Sequence, residues 1–424
     1  MARALYIHWP FCLKKCPYCD FNSHVRTSVD HSHWQKSMLT DMRFEAEQAS
    51  GEALTSIFFG GGTPSLMPPA LVAALLDEAQ KLWGFSDDIE ITLEANPSSV
   101  ESANFAGLAA AGVNRLSLGV QALDDAALQF LGRLHDINSA LAALDIAQSH
   151  FPRVSFDLIY ARPHQSPAEW RAELARALSF GTSHLSLYQL TIEAGTQFAT
   201  MVRMKKFTPL DDDAAGDLFA LTRDMTQAAG LPAYEISNHA KLGEASRHNL
   251  TYWRYQDYVG IGPGAHGRRD GMATIRHKKP ENWLESVAKH GHGISECHPL
   301  ALNEQASEAL LMSLRLAEGV DISALAARFA LPETALINRA KRDFYTEQGL
   351  LTHTKNRLIV TDQGMPLLDG LLGELIPTEL VTPSSPLPFS GGATPSSPLP
   401  FRGEAGGGVS QTAAISQSNT TQPT

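Results

Sequence analysis

Short runs of apolar or alternating residues recur through the first half of the chain, separated by segments with helical periodicity. Six of these runs predict strands, over residues 4–8, 56–59, 90–94, 115–118, 154–159 and 184–189. Amphipathic segments between them predict helices, over residues 69–82, 100–111, 139–150 and 167–180. Alternating strands and helices are typical of a parallel sheet with helices outside it. The pattern therefore predicts an α/β fold. Six such units suit an incomplete (β/α)6 barrel of the TIM type, and a doubly wound sheet is the alternative.

Polar residues and glycines cluster where these predicted strands end. They are Tyr6 and His8, Gly60–Thr63, Glu94 and Asn96, Gln121, Asp157 inside the fifth strand, and Gln189 at the end of the sixth. In β/α barrels the face at the carboxyl ends of the strands carries the chemistry. We therefore expect a functional site at that face.

The chain beyond the sixth strand divides into three parts. After a barrel over residues 1–230, an extension over 231–302 is dense in aromatic residues, histidines and glycines, which predicts close packing around a ligand or a tight set of loops. Helical runs over 304–316, 322–329 and 332–348 and a hairpin turning near Lys355 and Asn356 predict a winged-helix-like domain over 303–375. Residues 376–424 repeat TPSSPLPF and are rich in Gly, Ser and Thr, which predicts a disordered tail.

Composition excludes some classes of function. The chain has 424 residues, is 43% hydrophobic and carries a formal net charge of −11. This acidic balance argues against nucleic-acid binding, which normally requires a basic surface, so the winged-helix-like domain is expected to dock or to support structure. No run of eighteen apolar residues occurs, so no membrane span is expected.

Three of the four cysteines lie close together in a C-x3-C-x2-C pattern formed by Cys12, Cys16 and Cys19. Thiolates are the ligands of iron–sulfur clusters, and three of them can hold three irons of a 4Fe–4S cluster and leave the fourth iron open. A zinc site completed by a histidine is the alternative. Disulfides are not expected in a long chain with so few cysteines, and we expect a location in the reducing cytoplasm, with any membrane contact made through a partner.

The cysteine motif together with Phe59–Pro64 (FGGGTP) resembles the radical S-adenosylmethionine (SAM) superfamily. Within it, the chain is similar to the HemN/HemW branch, which holds oxygen-independent coproporphyrinogen III oxidases and related haem chaperones. The resemblance covers roughly residues 3–375. It implies a partial barrel with a C-terminal winged-helix-like domain. It also implies a 4Fe–4S cluster on Cys12, Cys16 and Cys19, with SAM bound to the fourth iron.

The resemblance also implies a set of SAM-binding residues. Gly61, Gly62 and Thr63 would contact the amino group, and Glu94 would bind the ribose hydroxyls. Arg133 would pair with the SAM carboxylate, which is a strong, oriented contact for a guanidinium. Four further residues match SAM-contacting positions of the family, namely Gln121, Asp157, Tyr6 and Tyr18. Without the resemblance, each of these residues also has a structural interpretation. Glu94 is equally well explained as a surface ion-pair residue, Asp157 as a structural hydrogen-bonding residue, and the two tyrosines as core residues.

Two features separate the chaperones from the oxidases of this branch. The oxidases carry a fourth cysteine where this chain has Phe21, and the chaperones carry the H-N-x-x-Y-W motif seen at His248–Trp253. An imidazole can ligate haem iron, so His248 is the candidate haem ligand. The resemblance thus implies a haem chaperone whose partners are haem, haem-accepting proteins, which include membrane-bound ones, and an electron donor. Oxidation of coproporphyrinogen III is the alternative.

Overall fold

A computed structural model of the chain describes residues 4–49, 53–354, 357–377 and 380. The strands are β1 (Ala4–Trp9), β2 (Phe11–Cys12), β3 (His24–Val25), β4 (Leu54–Gly61), β5 (Phe85–Ala95), β6 (Arg115–Gln121), β7 (Arg153–Tyr160), β8 (His184–Gln189), β9 (Asn238–Ala240), β10 (Tyr258–Ile261), β11 (His266–Arg269), β12 (Met272–Arg276), β13 (Ile294–Pro299), β14 (Val320–Asp321), β15 (Leu351–Thr354) and β16 (Arg357–Val360). The helices are α1 (His31–Gln48), α2 (Pro69–Trp83), α3 (Ser99–Ser102), α4 (Phe105–Ala110), α5 (Asp125–Phe130), α6 (Ile137–His150), α7 (Pro167–Leu178), α8 (Gln197–Arg203), α9 (Asp212–Ala228), α10 (Arg247–Trp253), α11 (Pro280–His290), α12 (Leu302–Ser313), α13 (Ile322–Phe329), α14 (Glu333–Leu336), α15 (Arg339–Glu347) and α16 (Leu368–Leu375).

The six predicted strands are parallel neighbours in one sheet, in the order β1-β4-β5-β6-β7-β8. The predicted α/β fold is therefore confirmed. A seventh parallel strand, β10, pairs with the free side of β1, and the antiparallel strands β11, β12 and β13 extend the sheet beyond it. Strand β9 forms the other edge, antiparallel to β8. The predicted extension over 231–302 thus shares the sheet of the barrel, which is open at β9 and β13 among the described strands.

Two predicted helices are each interrupted. The segment 100–111 contains α3 and α4, and the backbone at Ala103 between them stays close to helical. The segment 332–348 contains α14 and α15, because Ile337 is extended and the Asn338 side chain accepts a hydrogen bond from the backbone N–H of Lys341. That side chain starts a new helix in the manner of an N-cap residue.

The C-terminal region has its own buried apolar cluster, distinct from the one between the sheet and its helices. It includes α12, α13 and α16 and the three-stranded sheet β14-β16-β15, where β15 and β16 form the predicted hairpin. Ile376 and Leu380, which the composition assigned to the tail, are buried in this cluster. The hairpin turn at residues 355–356 and the repeats beyond residue 380 lie outside the described residues.

A buried ion cluster fixes α1 to the antiparallel part of the sheet. Arg276 donates to Asp41 at 2.7 Å and to Glu45 at 2.8 Å, and Arg269 donates to Glu45 at 2.8 Å. The Asp41 carboxylate also accepts the backbone N–H of Gly293 at 3.0 Å. Two guanidinium groups face two carboxylates, so the buried charges are matched, as the burial of ionised groups requires.

No helix in the described part of the chain is both long enough and apolar enough to cross a bilayer.

Candidate cofactor site

A cavity of about 1070 Å³, counted to its open mouth, lies at the carboxyl ends of β4, β5, β6 and β7. Ligand sites of α/β folds form at such strand ends. Eleven of the thirteen residues singled out from the sequence line this cavity, namely Cys12, Cys16, Cys19, Tyr18, Gly61, Gly62, Thr63, Glu94, Gln121, Arg133 and Asp157. The other two, Tyr6 and His248, do not line it.

Cys12 is the last residue of β2, and Cys16 and Cys19 lie on the loop that follows it; all three are free, half-buried thiols. A turn brings two of them together, because the backbone N–H of Cys19 donates to the carbonyl of Cys16 at 3.1 Å. Each sulfur has a polar neighbour. The Thr63 hydroxyl donates to Cys12 Sγ at 3.4 Å, and Arg133 Nη1 donates to Cys16 Sγ at 3.4 Å. Donors of this kind stabilise thiolate ligands and tune iron–sulfur clusters.

This donor set fits a 4Fe–4S cluster. No three His, Cys, Asp or Glu side chains among the described residues converge closely enough for a single metal ion. A four-iron cluster does not need such convergence, because each cysteine binds a different iron. Burial raises the pKa of Cys12, and it raises the pKa of Cys19 to about 11. Assembly of a cluster would therefore release protons from these thiols.

Arg133 connects the cysteine loop to the strands. Besides Cys16, it donates to the Tyr18 hydroxyl at 3.2 Å, to the Asn96 side-chain carbonyl and to the Gly119 carbonyl at 2.9 Å. Its Nε is buried without a hydrogen-bond partner among the described residues. A buried N–H of this kind is costly unless a ligand satisfies it, and a carboxylate is the natural partner for a guanidinium.

The glycine turn after β4 leaves no space for side chains. Gly61 has φ of +108°, and a Cβ there would lie 2.5 Å from the His8 ring. A Cβ on Gly62 would lie 2.6 Å from the Phe11 carbonyl oxygen. The two glycines let the cysteine loop pack directly against the backbone of the turn.

Two carboxyl groups, Glu94 and Asp157, line the cavity from β5 and β7. Burial, together with the negative charge of Asp157, raises the pKa of Glu94 to about 8. Burial also raises the pKa of Asp157 to about 6, although hydrogen bonds from Ser186 and Ser117 oppose this rise. In the ligand-free chain Glu94 therefore holds a proton near neutral pH, and hydroxyl donors from a ligand would favour its ionised form.

Gln121 has a backbone conformation that the sequence pattern does not predict. Its φ is +73°, in the left-handed region, and the pairing of β6 with β7 shifts register between Leu118 and Gln121. Such bulges and left-handed residues occur at functional sites, where they re-aim a side chain. Here the bulge lies at the end of β6, where Gln121 lines the cavity.

Sequence reasoning placed Asn96 at a strand end without giving it a role, and it missed the cavity residue Glu101. Asn96 Nδ2 donates to the Thr63 hydroxyl at 3.2 Å, and the Asn96 backbone N–H donates to Glu101 at 2.7 Å. Together they link Thr63 to Arg133, which donates to the Asn96 side chain. The signal for Asn96 was its position directly after a strand; Glu101 lies in α3 and had no such signal.

Tyr6 is buried beneath the cavity. Its hydroxyl hydrogen-bonds His8 Nδ1 at 3.1 Å, and His8 Nε2 hydrogen-bonds the Asn22 carbonyl at 2.9 Å. Burial lowers the pKa of His8 to about 4, so the ring is neutral. Tyr6 thus reaches the cysteine loop through His8 and not by direct contact with the cavity.

His248 is completely buried in α10, away from the cavity. Its Nδ1 hydrogen-bonds the Ser56 hydroxyl at 3.0 Å, and its Nε2 hydrogen-bonds the Tyr252 hydroxyl at 2.8 Å. The ring stacks on Phe58 with centroids 5.0 Å apart, and burial lowers its pKa to about 3. Both ring nitrogens are therefore engaged inside the protein, and neither faces the cofactor cavity.

Two known protein families match separate parts of the chain. The profile of the radical SAM superfamily matches residues 6–177, and the profile of the HemN C-terminal domain matches residues 300–367. The mouse protein "Radical S-adenosyl methionine domain-containing protein 1, mitochondrial" is 39% identical, over 88% of this chain and 87% of its own length. "Heme chaperone HemW" of Haemophilus influenzae is 37% identical, over 89% of this chain and 98% of its own length. Since the mouse relative is mitochondrial by name, the predicted cytoplasmic location stays a prediction.

The fold also matches a solved structure. Coproporphyrinogen III oxidase (HemN) from Escherichia coli superposes with a TM-score of 0.75 at 21% identity, over 87% of this chain and 89% of that chain. At this identity the match concerns the fold alone. The relatives over nearly the whole chain establish the family, and membership implies a 4Fe–4S cluster and SAM. The chain belongs to the radical SAM superfamily and, within it, to the HemN/HemW family.

Proposed function

We propose that this protein is a haem chaperone, which binds haem and a SAM-ligated 4Fe–4S cluster and delivers haem to acceptor proteins. The support comes from relatives named heme chaperone HemW, of which the chain covers nearly the full length. Haem is the ligand that these names imply. The acceptor proteins and an electron donor for the cluster are the further partners of the proposal.

Phe21 is the observation that carries the choice between chaperone and oxidase. It lines the cofactor cavity with 42% of its surface exposed, two residues after Cys19. By resemblance, the oxidases of the family have their fourth cysteine here. A phenyl ring supplies neither a thiolate nor a proton, so any step that requires this thiol is lost to the chain.

The cluster would be held by Cys12, Cys16 and Cys19. When bound, the cluster and SAM together supply one-electron chemistry at the SAM sulfonium. The protein's contribution is binding and orientation. The hydroxyl of Thr63 and the guanidinium of Arg133 would donate to the cluster thiolates, since they already donate to Cys12 and Cys16.

The remaining cavity residues would bind SAM. Arg133 would pair with its carboxylate through the N–H that lacks a protein partner. Gly61, Gly62 and Thr63 would meet its amino group, and Glu94 would accept hydrogen bonds from its ribose. Gln121, Asp157 and Tyr18 line the same cavity and would complete the contacts.

Tyr6 and His248 have indirect roles in this proposal. Tyr6 would position the cysteine loop through His8. A bond from His248 to haem iron requires that its hydrogen bonds to Ser56 and Tyr252 break and that α10 leave the sheet. We therefore keep His248→Ala as a comparison variant for haem binding.

The test uses the full chain, reconstituted with iron and sulfide under anaerobic conditions and divided in two. One sample receives haem and passes through gel filtration; the other receives coproporphyrinogen III, SAM and a reductant. The proposal expects a haem absorbance band that stays with the protein, and no vinyl porphyrin. Cys12→Ser should fail to assemble the cluster, and Cys297→Ser is its matched control because Cys297 is exposed and lies outside the cysteine loop.

Formation of protoporphyrinogen without retained haem would overturn the proposal and make the chain an oxidase. Failure of the Cys297→Ser control to assemble a cluster would instead indicate that the reconstitution itself is defective, and the preparation would be repeated before either arm is judged.

A further inference from the structure

A second cavity, to which the proposed function assigns no role, opens beside α5, α7 and α8. It encloses about 1670 Å³, counted to its open mouth. Its lining includes Phe130, His164, Arg176, Met201, Lys206 and Phe207. A cavity of this size and open shape has room for a large, flat ligand.

The acidic residues around this cavity are already engaged within the protein. Asp124 accepts the backbone N–H of Ala127 at 2.7 Å, and Glu169 accepts that of Ser166 at 2.8 Å. Glu173 is paired with Arg162 at 2.6 Å. The capping carboxylates keep their charge, but three cations that line the same cavity, Arg162, Arg176 and Lys206, balance the three carboxylates in number.

Two cations at the same cavity have no such partner. Arg176 and Lys206 line it as exposed residues, and neither forms an ion pair or a side-chain hydrogen bond with any described residue. Arg176 lies near the end of α7, and Lys206 follows α8. Two free cations on different elements can each bind one carboxylate of a dianionic ligand.

Aromatic residues form the apolar wall. The rings of Phe130 and Phe207 lie 5.3 Å apart, and both pack against the buried Phe198, at 4.9 Å and 5.1 Å. Phe130, Phe207 and Met201 are only partly buried and face this cavity. Aromatic and thioether side chains are favourable neighbours for a large π-system.

His164 is the one histidine among the residues described as lining this cavity. It is exposed, and its φ of +65° places it in the left-handed region, which histidine enters more readily than most residues. Its ring makes no hydrogen bond to a described residue, whereas both nitrogens of His248 are engaged. A free imidazole can bind haem iron.

We propose that this second cavity is the haem-binding site, an inference that rests on the proposed function. The porphyrin face packs against Phe130, Phe207 and Met201, the two propionates bind Arg176 and Lys206, and His164 ligates the iron. The two cavities are adjacent, because the Tyr18 ring of the cofactor cavity lies 6.3 Å from Phe198. Tyr18, Phe198 and Phe130 thus lie in series between the cofactor cavity and the second cavity.

The first test measures haem affinity of the reconstituted full chain by anaerobic absorbance titration. Arg176→Gln combined with Lys206→Gln is expected to weaken binding at least about tenfold, since both propionates lose a charged partner. Arg171→Gln combined with Arg203→Gln is the matched control. Arg171 is exposed on α7, as Arg176 is, and Arg203 is exposed at the end of α8, three residues before Lys206. Neither control arginine lines the cavity, and their substitution removes the same charge. Equal affinities of the two double variants would overturn the assignment.

The second test identifies the iron ligand. His164→Ala is expected to shift the haem absorbance maximum and to regain the wild-type spectrum when free imidazole is added. His248→Ala should leave that spectrum unchanged in any sample that still folds and assembles the cluster. An unchanged spectrum for His164→Ala together with a shifted one for His248→Ala would place haem at α10 instead.

These outcomes separate the site from the function. If the wild-type chain binds haem and the cavity variants bind it equally well, the proposed site is wrong and the chaperone proposal stands. Wild-type chain that retains no haem overturns both.

Discussion

At the scale of single residues, Arg133 makes the contacts on which the cofactor cavity depends most. It reaches the cysteine loop, β6 and the Asn96 side chain, and one of its N–H groups is buried with no protein partner. A lysine keeps the positive charge but lacks the planar fork, so it cannot make these contacts together. Substitution of Arg133 therefore tests whether SAM binding requires the shape of the guanidinium or only its positive charge.

Arg133→Lys is expected to weaken SAM binding at least about tenfold, or about 1.4 kcal/mol, and Arg133→Gln to weaken it further. The measurement is anaerobic calorimetric titration of the reconstituted chain with SAM. Arg171→Gln, on the exposed face of α7, is the control and should bind SAM as wild type does. Wild-type affinity in Arg133→Lys would show that SAM does not use the guanidinium.

Glu94 gives a prediction about pH. Burial raises its pKa from 4.5 to about 8, so between these values the folded chain holds a proton that the unfolded chain has released. The stability of the cluster-free, SAM-free chain should therefore fall as pH rises through this range, with a slope of up to about 1.4 kcal/mol per pH unit from this group.

Glu94→Gln should flatten this slope, because glutamine does not titrate. The check is denaturant unfolding of both chains from pH 5 to pH 8.5. Glu47→Gln serves as the control, since Glu47 is exposed on α1. Parallel stability curves for Glu94→Gln and wild type would contradict the assignment.

Spacing singled out the three cysteines and the family resemblance singled out Arg133, and the structure brings all four to one cavity. The sequence did not predict Gln121's left-handed backbone or Glu101's bond to the Asn96 backbone, since both depend on how a strand end bends. Nor could it predict that His248 is enclosed, because that follows from packing of α10 on β4.

At the scale of elements, α10 is anchored at its N-terminus by a buried carboxylate. Glu90 on β5 accepts the backbone N–H groups of Arg247 and His248, each at 3.1 Å. A carboxylate at this position satisfies N–H groups that the first turn of a helix leaves free. The H-N-x-x-Y-W segment is thus a buried part of the barrel.

The ion cluster under α1 gives a prediction about stability. Asp41→Ala should lower the free energy of unfolding by about 3–5 kcal/mol, since it leaves Arg276 buried with one carboxylate fewer. Chemical denaturation measures this loss. Glu47→Ala removes an exposed carboxylate from the same helix and should cost under about 0.5 kcal/mol. Equal losses would show that the cluster does not fix α1 to the sheet.

The element pattern was predictable where strands are long and buried on both faces, as with β4 and β7. It failed for β10, whose four residues Tyr258–Ile261 include a glycine and carry too short a signal. It also failed at Asn338, where a side-chain cap divides one helical pattern into two helices. Local hydrogen bonds of this kind override periodicity.

At the scale of the whole molecule, the described chain ends in a buried C-terminal cluster that reaches Leu380. The sequence beyond it is low in apolar content and repeats a Pro-rich octapeptide. Deletion of residues 381–424 should therefore leave the unfolding midpoint within about 1 °C and leave SAM affinity unchanged. A lower midpoint in thermal unfolding, or a weaker SAM affinity in titration, would show that the tail contributes to the folded structure.

The central claim is that haem is cargo which this chain binds and then hands on. The most direct measurement loads the reconstituted full chain with haem, removes free haem, and adds excess apomyoglobin as a haem-free acceptor. The account predicts that the absorbance band moves to that of haem-loaded myoglobin while the chain keeps its cluster. Haem that stays on the chain throughout, or no loading at all alongside conversion of coproporphyrinogen III, would contradict it.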